Sequence, residues 1–227
     1  MTKKYELVLD DTISFWGWKL FRIRALISFG SVEAGDLGGY IQKEENLSHD
    51  DNAWVSGDAK VSGDAKVSGD AEVWGNAKVC GNAKVWGNAE VCGNAEVWGN
   101  AKVCGDAKVC GNAEVCGNAE VWGNAKVCGD AKVCGDAKVC GNAEVCGDAK
   151  VCGNAEVWEL GDIIVFKNHW SSGRHFTYTK SNKMWKVGCF YGTGQELIEK
   201  AYRDSEKSGN YYKAYVDFVE SLEKMGE

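Results

Sequence analysis

Over residues 55–156, apolar and polar positions alternate in one six-residue phrase, Val-(Cys/Trp/Ser)-Gly-(Asp/Asn)-Ala-(Lys/Glu), repeated seventeen times without insertion or deletion. In a repeat such as Ala77-Lys78-Val79-Cys80-Gly81-Asn82, the two-residue alternation predicts extended backbone. Ala77 and Val79 then point to one face, and Lys78 and Cys80 to the other. Gly81 and Asn82 supply the bend, because glycine takes positive φ without a Cβ clash and Asn or Asp tolerates that region best among the rest. Each repeat is therefore one side of a polygon, and a period of six is far shorter than that of helical-repeat arrays.

Six residues per side resembles the hexapeptide-repeat left-handed β-helix, in which three sides close a triangular coil of eighteen residues. The resemblance, not the spacing, supplies the coil number and the handedness. It implies a mainly β protein of about six coils, with Val and Ala lining the axis and residues eighteen apart stacked in columns. The lead-in Gly35-Asp36-Leu37-Gly38-Gly39-Tyr40-Ile41, passing through Asn46-Leu47-Ser48 to Asn52-Ala53-Trp54-Val55, resembles that of bacterial and prophage-encoded hexapeptide-repeat proteins of unassigned function. The likeness covers roughly residues 20–158. Counted back in sixes, His49 takes the slot that Val fills later, as a capping residue at the first coil.

The chain divides into a β-rich N-terminal cap (1–50), the hexapeptide solenoid (51–158) and a small α/β lobe (159–227). Strands are predicted over 5–9 and 20–26, with Asp10-Asp11 as a turn. In the lobe, strands are predicted over 162–166, 175–179 and 184–190, with turns at Ser171-Ser172-Gly173 and Ser181-Asn182. A helix follows from Thr193 to about Ser208, ended by Gly209. A second helix has Tyr211, Tyr215, Phe218, Val219 and Leu222 on one apolar face.

Composition narrows the function. The net charge is −7, and without a basic run it argues against nucleic acid as a partner. No apolar run approaches eighteen residues and no apolar stretch follows Met1-Thr2-Lys3-Lys4, so neither membrane nor export is expected and a cytoplasmic location is. Ten of the eleven cysteines sit at one repeat position, the other being Cys189, so they follow the repeat and not a disulfide framework. Stacking places Cys92, Cys110, Cys128 and Cys146 in one column, and Cys116, Cys134 and Cys152 in another. Side-by-side thiols on a flat ladder do not converge for tetrahedral zinc, so no metal or cofactor is expected. Thiols preceded by Lys, such as Cys110 and Cys134, are expected to react faster than Cys116, which follows Glu114.

Trp86, Trp122 and Trp158 share a column with Cys104 and Cys140, and an apolar strip of that length predicts packing against a second copy (a dimer or trimer) or a partner protein. Glu90, Lys108, Lys126 and Glu144 are assigned to the same side, where they pair along the ladder. Hexapeptide-repeat enzymes are mostly acyltransferases with a histidine base, yet these repeats contain no histidine. His169, Trp170, Arg174 and His175 are the candidate pocket of the C-terminal lobe. The leading expectation is a non-catalytic scaffold or protein-binding solenoid, with a phage product that blocks a host factor as a special case. The alternatives are a hexapeptide-type acyltransferase and a self-assembling filament.

Overall fold

The structure is a computed structural model that describes residues 3–225. It separates into two compact units, one running to Leu160 and one starting at Gly161.

The first unit begins with a hairpin of β1 (Tyr5–Phe15) and β2 (Trp18–Ala25). Its turn is Trp16-Gly17, both at positive φ (47° and 81°), the pairing whose twist matches that of two antiparallel strands. The turn predicted at Asp10-Asp11 is therefore incorrect. Those residues lie inside β1, where the register shifts between Val8 and Thr12, and Asp11 pairs with Arg22 at 2.8 Å. β2 pairs antiparallel with β3 (Leu37–Ile41), and β3 pairs parallel with the rung Lys60–Val61. The hairpin thus continues one sheet of the solenoid.

Eighteen two-residue rungs follow, from Trp54–Val55 to Glu156–Val157, in parallel ladders on three sheets. Each regular rung pairs with the one eighteen residues on, as Val73 with Val91 and Val91 with Val109. Every Val and Ala of the repeats is buried, at 0–1% exposure, which confirms the axis read from the alternation. Burying each Val is worth about 1.5–3 kcal/mol before entropy is counted. The bends hold glycine for two reasons: at Gly69, φ is +70°, and a Cβ there would lie 2.8 Å from the backbone nitrogen of Gly87 on the next turn.

The solenoid has about seven turns, not six, because the lead-in segment makes one. Tyr40 pairs with Lys60 and Leu47 with Val67, offsets of twenty, whereas Trp54 pairs with Glu72 at eighteen. Two additional residues are absorbed in the bend between Ser48 and Asn52. This moves Leu47 into the valine slot, where it is buried, and displaces His49 into the widened bend. There His49 stacks on Tyr5 at 4.2 Å and its Nδ1 accepts the Lys4 backbone N–H at 3.2 Å. Lys4 is itself buried, and its ammonium donates to the carbonyls of Asp50, Asp51 and Ala53 at 3.4, 3.1 and 2.8 Å. Buried Asn46 fixes the preceding bend, donating to Gly63 and Ala65 carbonyls and accepting from the Gln42 and Lys43 N–H groups.

The second unit is a four-stranded antiparallel sheet, Ile163–Lys167, His175–Thr179, Met184–Val187 and Phe190–Gly192, followed by two helices. The strand predicted over 184–190 is split at Gly188, which turns at φ 56°. Helix α1 (Gly194–Asp204) is capped by Thr193, whose hydroxyl accepts from the Glu196 N–H while the Glu196 carboxylate accepts from the Thr193 N–H. The helix stops at Ser205, four residues before the predicted Gly209. Gly209 lies instead in the first turns of α2 (Glu206–Met225), where a side chain would collide with the ring of Tyr202. The buried stripe of α2 is Tyr212, Val216 and Val219, packed on Phe176, Tyr178 and Trp185. Phe218 and Leu222, expected on that stripe, are exposed, Phe218 being turned by about 100° from its buried neighbour Val219 and Leu222 lying a turn nearer the end of the helix.

Candidate interaction face

On one sheet the register places Ser68, Trp86, Cys104, Trp122, Cys140 and Trp158 on successive rungs, as the eighteen-residue stacking predicts. Trp86, Trp122 and Cys104 are half-buried, and Trp158 is exposed. Two rungs separate Trp86 from Trp122, so their indoles form the walls of a groove of about 570 Å³ floored by Cys104. Lys66, Lys84 and Lys102 line it from successive rungs, and Lys102 pairs with Glu120 at 2.6 Å. Cys140 does not share this exposure. Trp122 and Trp158 meet edge to face at 6.3 Å across the rung that carries Cys140, and Cys140 is fully buried. The alternation of a small residue between two indoles leaves an open groove at one rung and a closed one two rungs later.

Glu90, Lys108, Lys126 and Glu144 are not on this face. Lys108–Glu90 and Lys126–Glu144 pair at 2.7 and 3.1 Å, but on the sheet that carries the four-cysteine column. Six residues forward is one bend onward, so a charge belongs with the outward residue two positions after it. By that rule the groove residues Lys66, Lys84, Lys102 and Glu120 are legible in the sequence, where attention to the tryptophans alone misses them.

The two thiol columns stand as predicted by stacking, on adjacent rungs of two different sheets. One expectation fails: Cys128 and Cys146 are joined by a disulfide. Spacing along the chain gives no hint of a framework, but parallel register brings their Cα atoms to 4.6 Å, within the range a bridge requires. The sulfurs of Cys134 and Cys152 lie 2.6 Å apart. Cys116 hydrogen-bonds to Cys134, and that contact, burial and the nearby Glu114 charge push its thiol well above the usual range. Burial first, then Cys110 and Glu90, push Cys92 up to about 11.

In the second unit, Trp170 stacks on Tyr211 at 4.6 Å and meets Tyr212 edge-on at 4.8 Å. His169 approaches the ring edges of both Trp170 and Tyr211, and its Nδ1 is 3.4 Å from the Tyr215 hydroxyl. These two residues are therefore members of an aromatic cluster. Arg174 is exposed in the connecting turn, its carbonyl accepting the Asn168 N–H, and His175 starts the second strand opposite Lys167. Among the described residues, no group of three or more His, Cys, Asp or Glu could hold a metal ion, and no helix is long and apolar enough to cross a membrane.

Compared with protein-family models and with curated proteins, the chain matches none.

Proposed function

We propose that this chain is a non-catalytic, protein-binding solenoid of the left-handed hexapeptide type. Its binding element is the groove between Trp86 and Trp122. The single observation that carries this reading is the pair of half-buried indoles held two rungs apart on a rigid ladder, with Cys104 between them and Lys66 and Lys84 alongside. Indoles and a cationic wall suit a partner segment that brings an apolar side chain flanked by carboxylates, because aromatic anchors supply most of the energy of such contacts and charge sets orientation. A phage-encoded protein that occupies a host factor through this face is one biological setting for it.

The test is affinity capture from the natural host with the intact chain and with Trp86→Ser/Trp122→Ser, followed by reconstitution with the purified partner. The reading expects a partner that binds the intact chain, is lost with the double variant, and is weakened by Lys84→Glu. A partner indifferent to all three changes, or sedimentation showing that the same substitutions only dissolve a dimer of this chain, would replace it with self-association.

A further inference from the structure

We propose that the two cysteine columns form a reversible thiol–disulfide reaction site whose substrates are small soluble disulfides. One column holds four thiol positions on consecutive rungs (Cys92, Cys110, Cys128, Cys146) and the other holds three (Cys116, Cys134, Cys152), as the rung register shows. The bonded pair Cys128–Cys146 shows that one rung of separation suits a bridge, with Cα atoms 4.6 Å apart. Every other neighbouring pair in the two columns has the same one-rung relationship, because the ladder is regular. Ladder positions 92, 110, 116, 134, 146 and 152 are half-buried and not sealed in the core, so small molecules reach them.

The reaction balances without any other oxidant. A thiolate on one rung attacks a sulfur of the small disulfide, whose S–S bond breaks, and the departing thiolate takes up a proton. The thiolate on the next rung then attacks the sulfur now joined to the protein, forming the rung-to-rung bond and expelling the second small thiol. Two cysteines lose two electrons and two protons, and the small disulfide gains them.

The columns also dictate which bonds form. Four thiols in a row pair completely only as Cys92–Cys110 with Cys128–Cys146, the second of which is the bridge in the structure. Three in a row make one bridge that always includes Cys134, and the thiol left at one end can attack it and move it along the column. Cys80, Cys104 and Cys140 have tryptophan or serine on the adjacent rungs, and Cys189 belongs to the other unit. Full oxidation therefore makes three bridges, which lowers the thiol count from eleven to five.

The experiment starts from fully reduced chain, adds oxidised glutathione at low protein concentration, counts thiols in denaturant and maps bridges by mass spectrometry. Five thiols, bridges only between rung neighbours, and return to eleven on adding reduced glutathione are expected. Cys116→Ser, which leaves the Cys134–Cys152 pair, should end at four thiols, and Cys134→Ser, which leaves no neighbouring pair in its column, at six. Eleven thiols remaining, glutathione adducts that persist in place of bridges, bridges between residues that are not rung neighbours, or equal counts for the two variants would each overturn the proposal. The bridge map of the parent chain decides the matter even if a variant folds poorly.

Discussion

The side-chain amide of Asn118 donates to the carboxylate of Asp136, one turn on, at 2.8 Å, and the same amide group accepts from Asn100 at 2.9 Å. The bend residues thus form hydrogen-bonded columns with a direction. Asn76, Asn94 and Asn112 pass the contact along to Asp130 in the same way. An aspartate can end such a run but cannot continue it, because an ionised carboxylate only accepts. Asn118→Asp should lower the denaturation midpoint at pH 7, since it sets two carboxylates face to face. Asp136→Asn should leave the midpoint unchanged or raise it. The opposite order in a urea titration would show that these amides contribute nothing.

Replacing two bend glycines separates backbone conformation from stacking. Gly69 and Gly147 both have positive φ, but a Cβ at Gly147 meets nothing within 4 Å. Gly147→Ala should cost about 1 kcal/mol, the ordinary left-handed penalty. Gly69→Ala should cost about 2–3 kcal/mol because the turn above must also shift. Equal losses in chemical denaturation would mean that the ladder yields freely.

Lys4 gives the N-terminal cap a dependence on alkaline pH. Burial depresses its ammonium to about 8 from its ordinary 10.5, against the opposing pull of Asp51, Asp50 and Asp70. Between pH 8 and 10 the unfolded chain therefore holds a proton that the folded chain has released, so stability rises with pH across that window. Tyr5, whose hydroxyl burial pushes far above its usual range, reverses the trend at higher pH. Lys4→Met should abolish the rise and, by stranding three carbonyls, cost about 2–4 kcal/mol at pH 7. The check is the midpoint of both chains measured from pH 7 to 10.

His49 has the converse effect in acid. Burial lowers its imidazole below the ordinary value of 6.5, outweighing Glu44. Its contribution is fully present above that value and is lost as pH falls, because protonation removes the Nδ1 acceptor used by the Lys4 N–H. His49→Gln should flatten the midpoint between pH 7 and 5, and an unchanged slope would assign the acid sensitivity elsewhere.

Cys110 and Cys116 offer a comparison within one fully reduced chain. Cys116 is held protonated by Cys134, burial and Glu114, whereas Lys108 shares the face of Cys110. Iodoacetamide under native conditions should label Cys110 several-fold faster. Equal rates would mean that access, not charge, governs these thiols.

What the sequence made legible depended on how local the deciding interaction was. The buried Val and Ala, the bends at Gly-Asn and Gly-Asp, and the column memberships all follow from a period carried within each repeat. The place of His49 is not legible in the sequence because counting in sixes cannot register two residues absorbed at Asp50-Asp51, which only the pairing of Leu47 with Val67 exposes. The hairpin turn is not legible in the sequence because Asp10-Asp11 and Trp16-Gly17 both suit a bend, and the pairing with the partner strand decides between them. In the second unit the aromatic core of Phe176, Tyr178 and Trp185 set which side of α2 faces inward. The groove is half legible: its tryptophans declare themselves, and its lysines follow only from the rule linking each charge to the residue two positions on.

Among the described parallel rungs, the widened bend at residues 48–52 is the one departure from the eighteen-residue step, and every rung after it keeps step. Length in this protein is therefore quantised. Losing or duplicating eighteen residues between two bends would shorten or extend the molecule by one turn and leave every remaining residue on its own face. Losing six would rotate all later sextets by one side, carrying indoles onto the thiol surface and thiols onto the indole surface without exposing a single valine. Genetic drift in repeat number can thus rearrange what this molecule shows to its surroundings while its interior remains unchanged.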